Sequence, residues 1–126
     1  MKENAILEKS KRFAVRIVKF CKYLCEEKKE YRISDQLFRS GTSIGANVSE
    51  AIVAQSTKEF IAKLNISLKE ANESMYWIEI LKEAEIISET EFKSINADCN
   101  EVKSLLVAIV KTMNSNKLKH PHNSKF

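Results

Sequence analysis

Apolar residues recur along this chain at steps of three and four, the spacing that keeps side chains on one helical face and on the seam of helices packed at shallow angles. Ile6, Ser10, Phe13, Ile17, Phe20 and Leu24 form the first run, interrupted only by the serine. Leu37, Gly41, Ile44, Val48 and Ala51 form the second, and Ile61, Leu64, Leu68, Ala71, Met75 and Ile78 the third. A fourth comprises Phe92, Ile95, Cys99, Val102, Leu106, Ile109 and Met113. Start signals fall between the runs. Ser34, after the polar stretch Glu26-Glu27-Lys28-Lys29-Glu30, is placed as the N-cap of the second helix. Ser56-Thr57-Lys58-Glu59 and Ser88-Glu89-Thr90-Glu91 have capping-box spacing, in which serine and glutamate satisfy each other's free backbone N–H groups.

Four helices with short connections predict an all-α fold, an antiparallel up-down-up-down four-helix bundle over residues 1–113. This spacing favours a left-handed supercoil with crossing angles of about 20°. From residue 114 the chain is polar and aperiodic, so 114–126 is expected to be a disordered basic tail. With 126 residues, 44% of them hydrophobic, there is enough apolar material for one domain core. Two glycines and one proline leave little turn punctuation, which also favours long helices. Both glycines, Gly41 and Gly45, fall inside the second helix. Each costs about 1 kcal/mol there relative to alanine, and four residues apart they share one face, so that face is expected to admit another backbone at close range.

Candidate chemistry narrows quickly. Cys21, Cys25 and Cys99 include no C-x-x-C pair and read as reduced thiols in a cytoplasmic protein. No apolar run approaches the length of a membrane span, and no secretory leader is visible, so no membrane partner is expected. The two histidines, His120 and His122, lie in the tail, which leaves no base to activate a serine or cysteine nucleophile. Glu50, Glu70 and Glu73 superficially resemble the carboxylates of a di-iron bundle, but the Glu-x-x-His pairs such a site uses are missing. Neither catalysis, a metal nor a cofactor is expected. Arg39, Asn47, Glu50 and Glu70 read instead as a polar network within or between bundles, and the Tyr76-Trp77 pair as core or subunit interface.

Charge is unevenly spread. Residues 1–25 carry seven Lys or Arg against two Glu, a net of +5, whereas residues 57–93 carry five Lys against eight Glu, a net of −3. On the first helix Lys9, Arg12, Arg16 and Lys19 repeat at three and four residues, with Lys11 and Lys22 nearby. A stripe of this kind can neutralise phosphates and bind nucleic acid without reading sequence. Equally, it can be a solvated face or pair with acidic residues of a neighbouring subunit.

The segment Gln36-Leu37, Arg39-Ser40, Ser43-Ile44, Ala46-Asn47, Glu50-Ala51, followed by Phe60-Ile61-Ala62-Lys63-Leu64, Lys69-Glu70-Ala71-Asn72-Glu73 and Tyr76-Trp77, resembles the four-helix bundle proteins encoded in intervening sequences of bacterial 23S rRNA genes. The likeness spans residues 5–113. Many relatives have a proline after the Ser-Ile pair where this chain has Gly45. Members of that family are similar to the accessory protein of diversity-generating retroelements, a basic bundle that assembles as a ring of five and contacts nucleic acid and a reverse transcriptase. The resemblance therefore implies a homopentamer, and apolar residues outside the seams (Phe38, Ile52, Ile66, Ile80, Leu105 and Val110) point to association as well. Two functional expectations follow. One is a homo-oligomer associated with RNA or DNA through the first helix. The other is a protein scaffold, such as an accessory subunit for a reverse transcriptase, with no direct nucleic-acid contact.

Overall fold

The computed structural model describes residues 2–119 and contains, among them, four helices: α1 (Lys2–Glu27), α2 (Arg32–Ile52), α3 (Thr57–Glu83) and α4 (Glu89–Lys119). Each helix packs on its chain neighbours, and α1 also closes against α4, while α1 and α3 sit at opposite corners of the bundle, as do α2 and α4. Connections of four or five residues turn the chain back on itself each time, giving the antiparallel bundle that the sequence predicts. No helix among the described residues is long and apolar enough to cross a membrane.

The core follows the predicted seams with local shifts. Ile6, Phe13, Ile17 and Leu24 are buried on α1, but Cys21 takes the inward position and Phe20 flanks it, half-buried. All five predicted seam residues of α2 are buried. On α3 the buried line is Leu64, Ser67, Ala71, Ser74, Ile78 and Leu81, while Ile61, Leu68 and Met75 lie at its edge. The seam therefore runs through two serines that an apolar search passes over. Ser40 and Ser74 share a hydrogen bond of 2.8 Å, and Ser67 donates to the Ile44 carbonyl at 2.8 Å. Small hydroxyls with satisfied bonds let α2 and α3 approach where larger apolar residues would hold them apart. Ser10 donates likewise to the Leu7 carbonyl of its own helix at 3.2 Å.

Three helix ends differ from expectation. Ser34 is not a cap: it lies buried inside α2, donating to the Cys21 carbonyl at 3.2 Å, and the first turn is closed instead by the Glu30 carboxylate, which accepts from the Ile33 N–H at 2.8 Å. Ser56 caps α3 by accepting from the Glu59 N–H, but Glu59 reaches back to the Gln55 N–H and not to Ser56. The Ser88 and Glu91 box is fully reciprocal, at 3.1 and 2.7 Å. At the far end, α4 continues through residues 114–119, which the sequence assigns to the tail. A polar stretch lacks an apolar stripe but not helix-forming capacity. The remainder of the expected tail, including His120 and His122, lies outside the described residues.

Both left-handed backbone positions, Lys29 (φ 55°) and Glu85 (φ 61°), follow helix ends. After α3 the Ile86 N–H returns to the Leu81 carbonyl and the Glu85 N–H to that of Lys82, both at 2.9 Å, a Schellman closure with glutamate where glycine is usual. The chain thus places neither glycine at a turn. Both sit in α2 against α1. A Cβ on Gly41 would lie 2.8 and 2.9 Å from the two Cγ atoms of Ile17, and one on Gly45 would lie 3.2 Å from the Ser10 carbonyl oxygen.

Candidate interaction faces on helix one

Ion pairing divides the basic residues of α1 into two sets. Toward α4, Lys9 meets Glu101 at 2.9 Å, and Arg16 pairs with Asp98 while also donating to the Ser94 carbonyl at 3.1 Å and hydroxyl at 2.6 Å. Arg12 bonds Glu8 one turn back on its own helix at 2.7 Å. Lys11, Lys19 and Lys22 are exposed and make no ion pair among the described residues. The six cations therefore do not form one uniform stripe. The sequence period places Lys9, Arg12, Arg16 and Lys19 on one stripe with Lys11 and Lys22 nearby; Glu8 is visible as the i,i+4 partner of Arg12, but Glu101 and Asp98, which meet Lys9 and Arg16, come from α4 and are not visible in spacing along α1.

Lys11 and Lys22 lie among exposed apolar side chains. Val15 and Val18 are 49% and 45% exposed, and Phe38 of the adjoining α2 is 45% exposed. Leu7, Lys11 and Ala14 face Thr42, Gly45, Ala46 and Ser49 across a shallow groove of about 370 Å³. The groove exists because α1 and α2 touch nearly backbone to backbone at Gly45. Of the other apolar residues outside the seams, Ile52 and Ile66 are exposed, Ile80 and Leu105 are half-buried, and Val110 belongs to the core.

Arg39, Asn47, Glu50 and Glu70 do not form one network. Arg39 bridges from α2 to Glu70 at 3.3 Å and to Glu73, and Glu73 also accepts from the Trp77 indole N–H at 3.0 Å. These two donors hold the Glu73 carboxyl below its ordinary range, Arg39 contributing most, and the same contact raises Arg39. Glu50 instead pairs with Lys63 at 2.7 Å, and Asn47 donates to the Ser43 carbonyl within α2 at 2.9 Å. Arg39, Asn47, Glu50 and Glu70 are the four residues the sequence points to, whereas Glu73 as the hub and Lys63 as the partner are not among them, although their spacing along α3 places both toward α2. Trp77 is half-buried and Tyr76 exposed, the two rings meeting edge-on at 5.0 Å between centroids.

The described residues contain no cluster of three His, Cys, Asp or Glu arranged to hold a metal. Burial pushes the thiols of Cys21 and Cys99 up to about 11 and about 12, so neither is a ready thiolate. Cys25 is half-buried and hydrogen-bonded to the Ser34 hydroxyl.

The model of the family described as 23S rRNA-intervening sequence protein matches residues 2–108. The chain belongs to that family. The matched span takes in α1, α2, α3 and most of α4, so in this 23S rRNA-intervening sequence family member the faces above are built on family elements. Among solved structures, this family member is similar to a protein of unknown function from the S23 ribosomal protein family of Bacteroides thetaiotaomicron. The two are 53% identical with a TM-score of 0.86, over 88% of this chain and 99% of the other. Among curated proteins none matches the sequence.

Proposed function

We propose that this bundle is a non-enzymatic assembly module that associates with further copies of itself through the outer α1–α2 face and meets the phosphate backbone of RNA or DNA with the lysines of α1. The observation that carries this reading is the exposure of Val15, Val18 and Phe38 among unpaired Lys11, Lys19 and Lys22. Apolar side chains held at the surface mark contact with another macromolecule, and surrounding cations select an acidic one. A complementary surface lies on the chain itself. On α3, Tyr76 is exposed beside Glu79, Ile80 and Glu83, the neighbours that a three-, four- and seven-residue step provides. Because α1 and α3 occupy opposite corners, a contact between the two faces joins unlike surfaces of successive copies, the head-to-tail kind that closes into rings. A homopentamer is the ring that the family resemblance implies.

Light scattering at micromolar concentration tests the assembly. The expected mass is a multiple of the 14.4 kDa chain, and Val15→Asp with Val18→Asp should reduce it without loss of helix; a stable wild-type monomer would remove the reading. For nucleic acid, filter binding at about 50 mM salt should show affinity that falls steeply with added salt. Lys11→Glu, Lys19→Glu and Lys22→Glu together should weaken it. If wild type binds neither RNA nor DNA there, the lysines serve an acidic protein partner, such as a reverse transcriptase that the bundle accompanies, and the scaffold reading takes over.

A further inference from the structure

The line where α1 meets α4 is built unlike the other three. It is the least closely packed pairing of the bundle, and polar contacts from Lys9, Arg16 and Tyr23 bridge it to Glu101, Asp98, Ser94 and Glu91. At one end Lys9, Arg12 and Arg16 overhang a cavity of about 210 Å³ floored by Phe13 and Val102, with Asp98 and Glu101 opposite. Beyond Arg16 the line opens into a second cavity of about 380 Å³ walled by Phe20, Tyr23, Thr90, Glu91 and Ser94. Arg16 borders both and bridges to Asp98 and Ser94 between them, so the two lie end to end as one groove interrupted by that bridge. Three cations at steps of three and four residues occupy one half, about 4.5 and 6 Å apart along the helix axis from its rise per residue. Two aromatic rings, 6.3 Å apart between centroids, occupy the other.

We infer that this groove takes a single strand of nucleic acid, whose phosphates displace the carboxylates of Asp98 and Glu101 from Lys9 and Arg16 and whose bases rest against Phe20 and Tyr23. The inference deepens the nucleic-acid part of the proposed function and rests on it, but it places the strand on the α4 side of α1, away from Lys11 and Lys22. In the free protein each carboxylate stands where a phosphate oxygen would stand. Arg16, bound to a carboxylate oxygen and a serine hydroxyl together, is already arranged to receive two acceptor oxygens. Exposed pairs of this kind contribute little to stability, so opening them costs the bundle little. Cations following a backbone beside aromatic faces are the arrangement that holds single strands without sequence preference, and a duplex has no unstacked base to offer the rings.

The test removes the competing charge. Asp98→Asn with Glu101→Gln keeps the shape of both side chains and should bind a fluorescently labelled single-stranded oligonucleotide about fivefold more tightly than wild type, from the small worth of two exposed pairs. The same substitutions should change duplex binding little. Tyr23→Ala should lower single-strand affinity by about fivefold or more, as loss of a stacking face does. Circular dichroism fixes the fold of each variant. If wild type binds and neither substitution changes affinity, while reversal of Lys11, Lys19 and Lys22 abolishes it, the groove is overturned and nucleic-acid binding stands. Should wild type fail to bind while the neutralised variant does, the carboxylates are confirmed as the bar. Failure of both proteins to bind any nucleic acid overturns this inference together with the reading beneath it.

Discussion

Replacing Gly41 with alanine sets two effects of known sign against each other. Helix propensity favours alanine by about 1 kcal/mol in a helix interior. Against this, the new Cβ would meet Ile17 Cγ1 and Cγ2 at 2.8 and 2.9 Å and its Cβ at 3.3 Å, where comfortable carbon contacts begin near 3.5 Å. Ile17 is fully buried and branched at the atoms that collide, so it cannot swing clear, and the helices must separate. Inserting a methyl into a packed core costs about 1–3 kcal/mol, which exceeds the propensity gain over most of its range. Gly41→Ala should therefore destabilise by about 1 kcal/mol net, lowering the melting temperature by about 3–5 °C for a chain of this size. Gly41→Leu should cost more. The sharper test is a double-mutant cycle. Ile17→Ala removes both colliding Cγ atoms and leaves a cavity, at a cost of about 2–5 kcal/mol. In that background only the Cβ of residue 17 remains near the new methyl, at 3.3 Å and beside the cavity, so Gly41→Ala should stabilise, reversing its sign. Thermal and urea unfolding at one fixed protein concentration measure all four corners. A rise in melting temperature for Gly41→Ala alone, or an unchanged sign in the Ile17→Ala background, would refute the close-packing argument.

Glu85→Gly should raise the melting temperature by about 2–4 °C, because a left-handed φ of 61° strains glutamate and not glycine; a fall would mean the side chain contributes more than its backbone costs. Glu73, with its carboxyl held low by Arg39 and Trp77, is lowered on folding, so its stabilisation is complete above the ordinary carboxylate range near 4.3 and is lost as pH falls from there through the lowered folded value. Melting temperatures between about pH 5 and 3 should consequently fall less steeply for Glu73→Gln than for wild type, and parallel curves would sink the assignment.

How much of this molecule can be read from its sequence depends on where each partner lies. Seams, capping serines at 56 and 88 and bundle class rest on spacing within one helix or turn, and spacing is visible along a chain. Ser67 and Ser74 escaped because their burial depends on hydroxyl partners across the α2–α3 contact, which no apolar count records. Ser34 looked like a cap because cap and core serines share the same chemistry; only Cys21 and Cys25 on the facing helix separate the two roles. The α1 stripe misled in the same way. Its period was legible, but Asp98 and Glu101 lie more than eighty residues ahead and arrive only when α4 closes the bundle.

The α1–α2 contact at the two glycines also bears on the candidate faces of α1. Gly41 and Gly45 draw α1 onto α2 until side chains and backbone touch, which fixes the rotation of α1 about its own axis. Once that rotation is set with Ile17 against Gly41, the helical period places Lys9 and Arg16 over α4 and turns Lys11, Val15, Val18 and Lys22 outward. A bulkier residue at Gly45 would push α1 from α2, widen the small-residue groove and rotate the cations away from Asp98 and Glu101 together. Stability, outward face and latched groove are thus consequences of one close approach, and a substitution there should disturb all three, whereas Asp98→Asn or Val15→Asp should each disturb one.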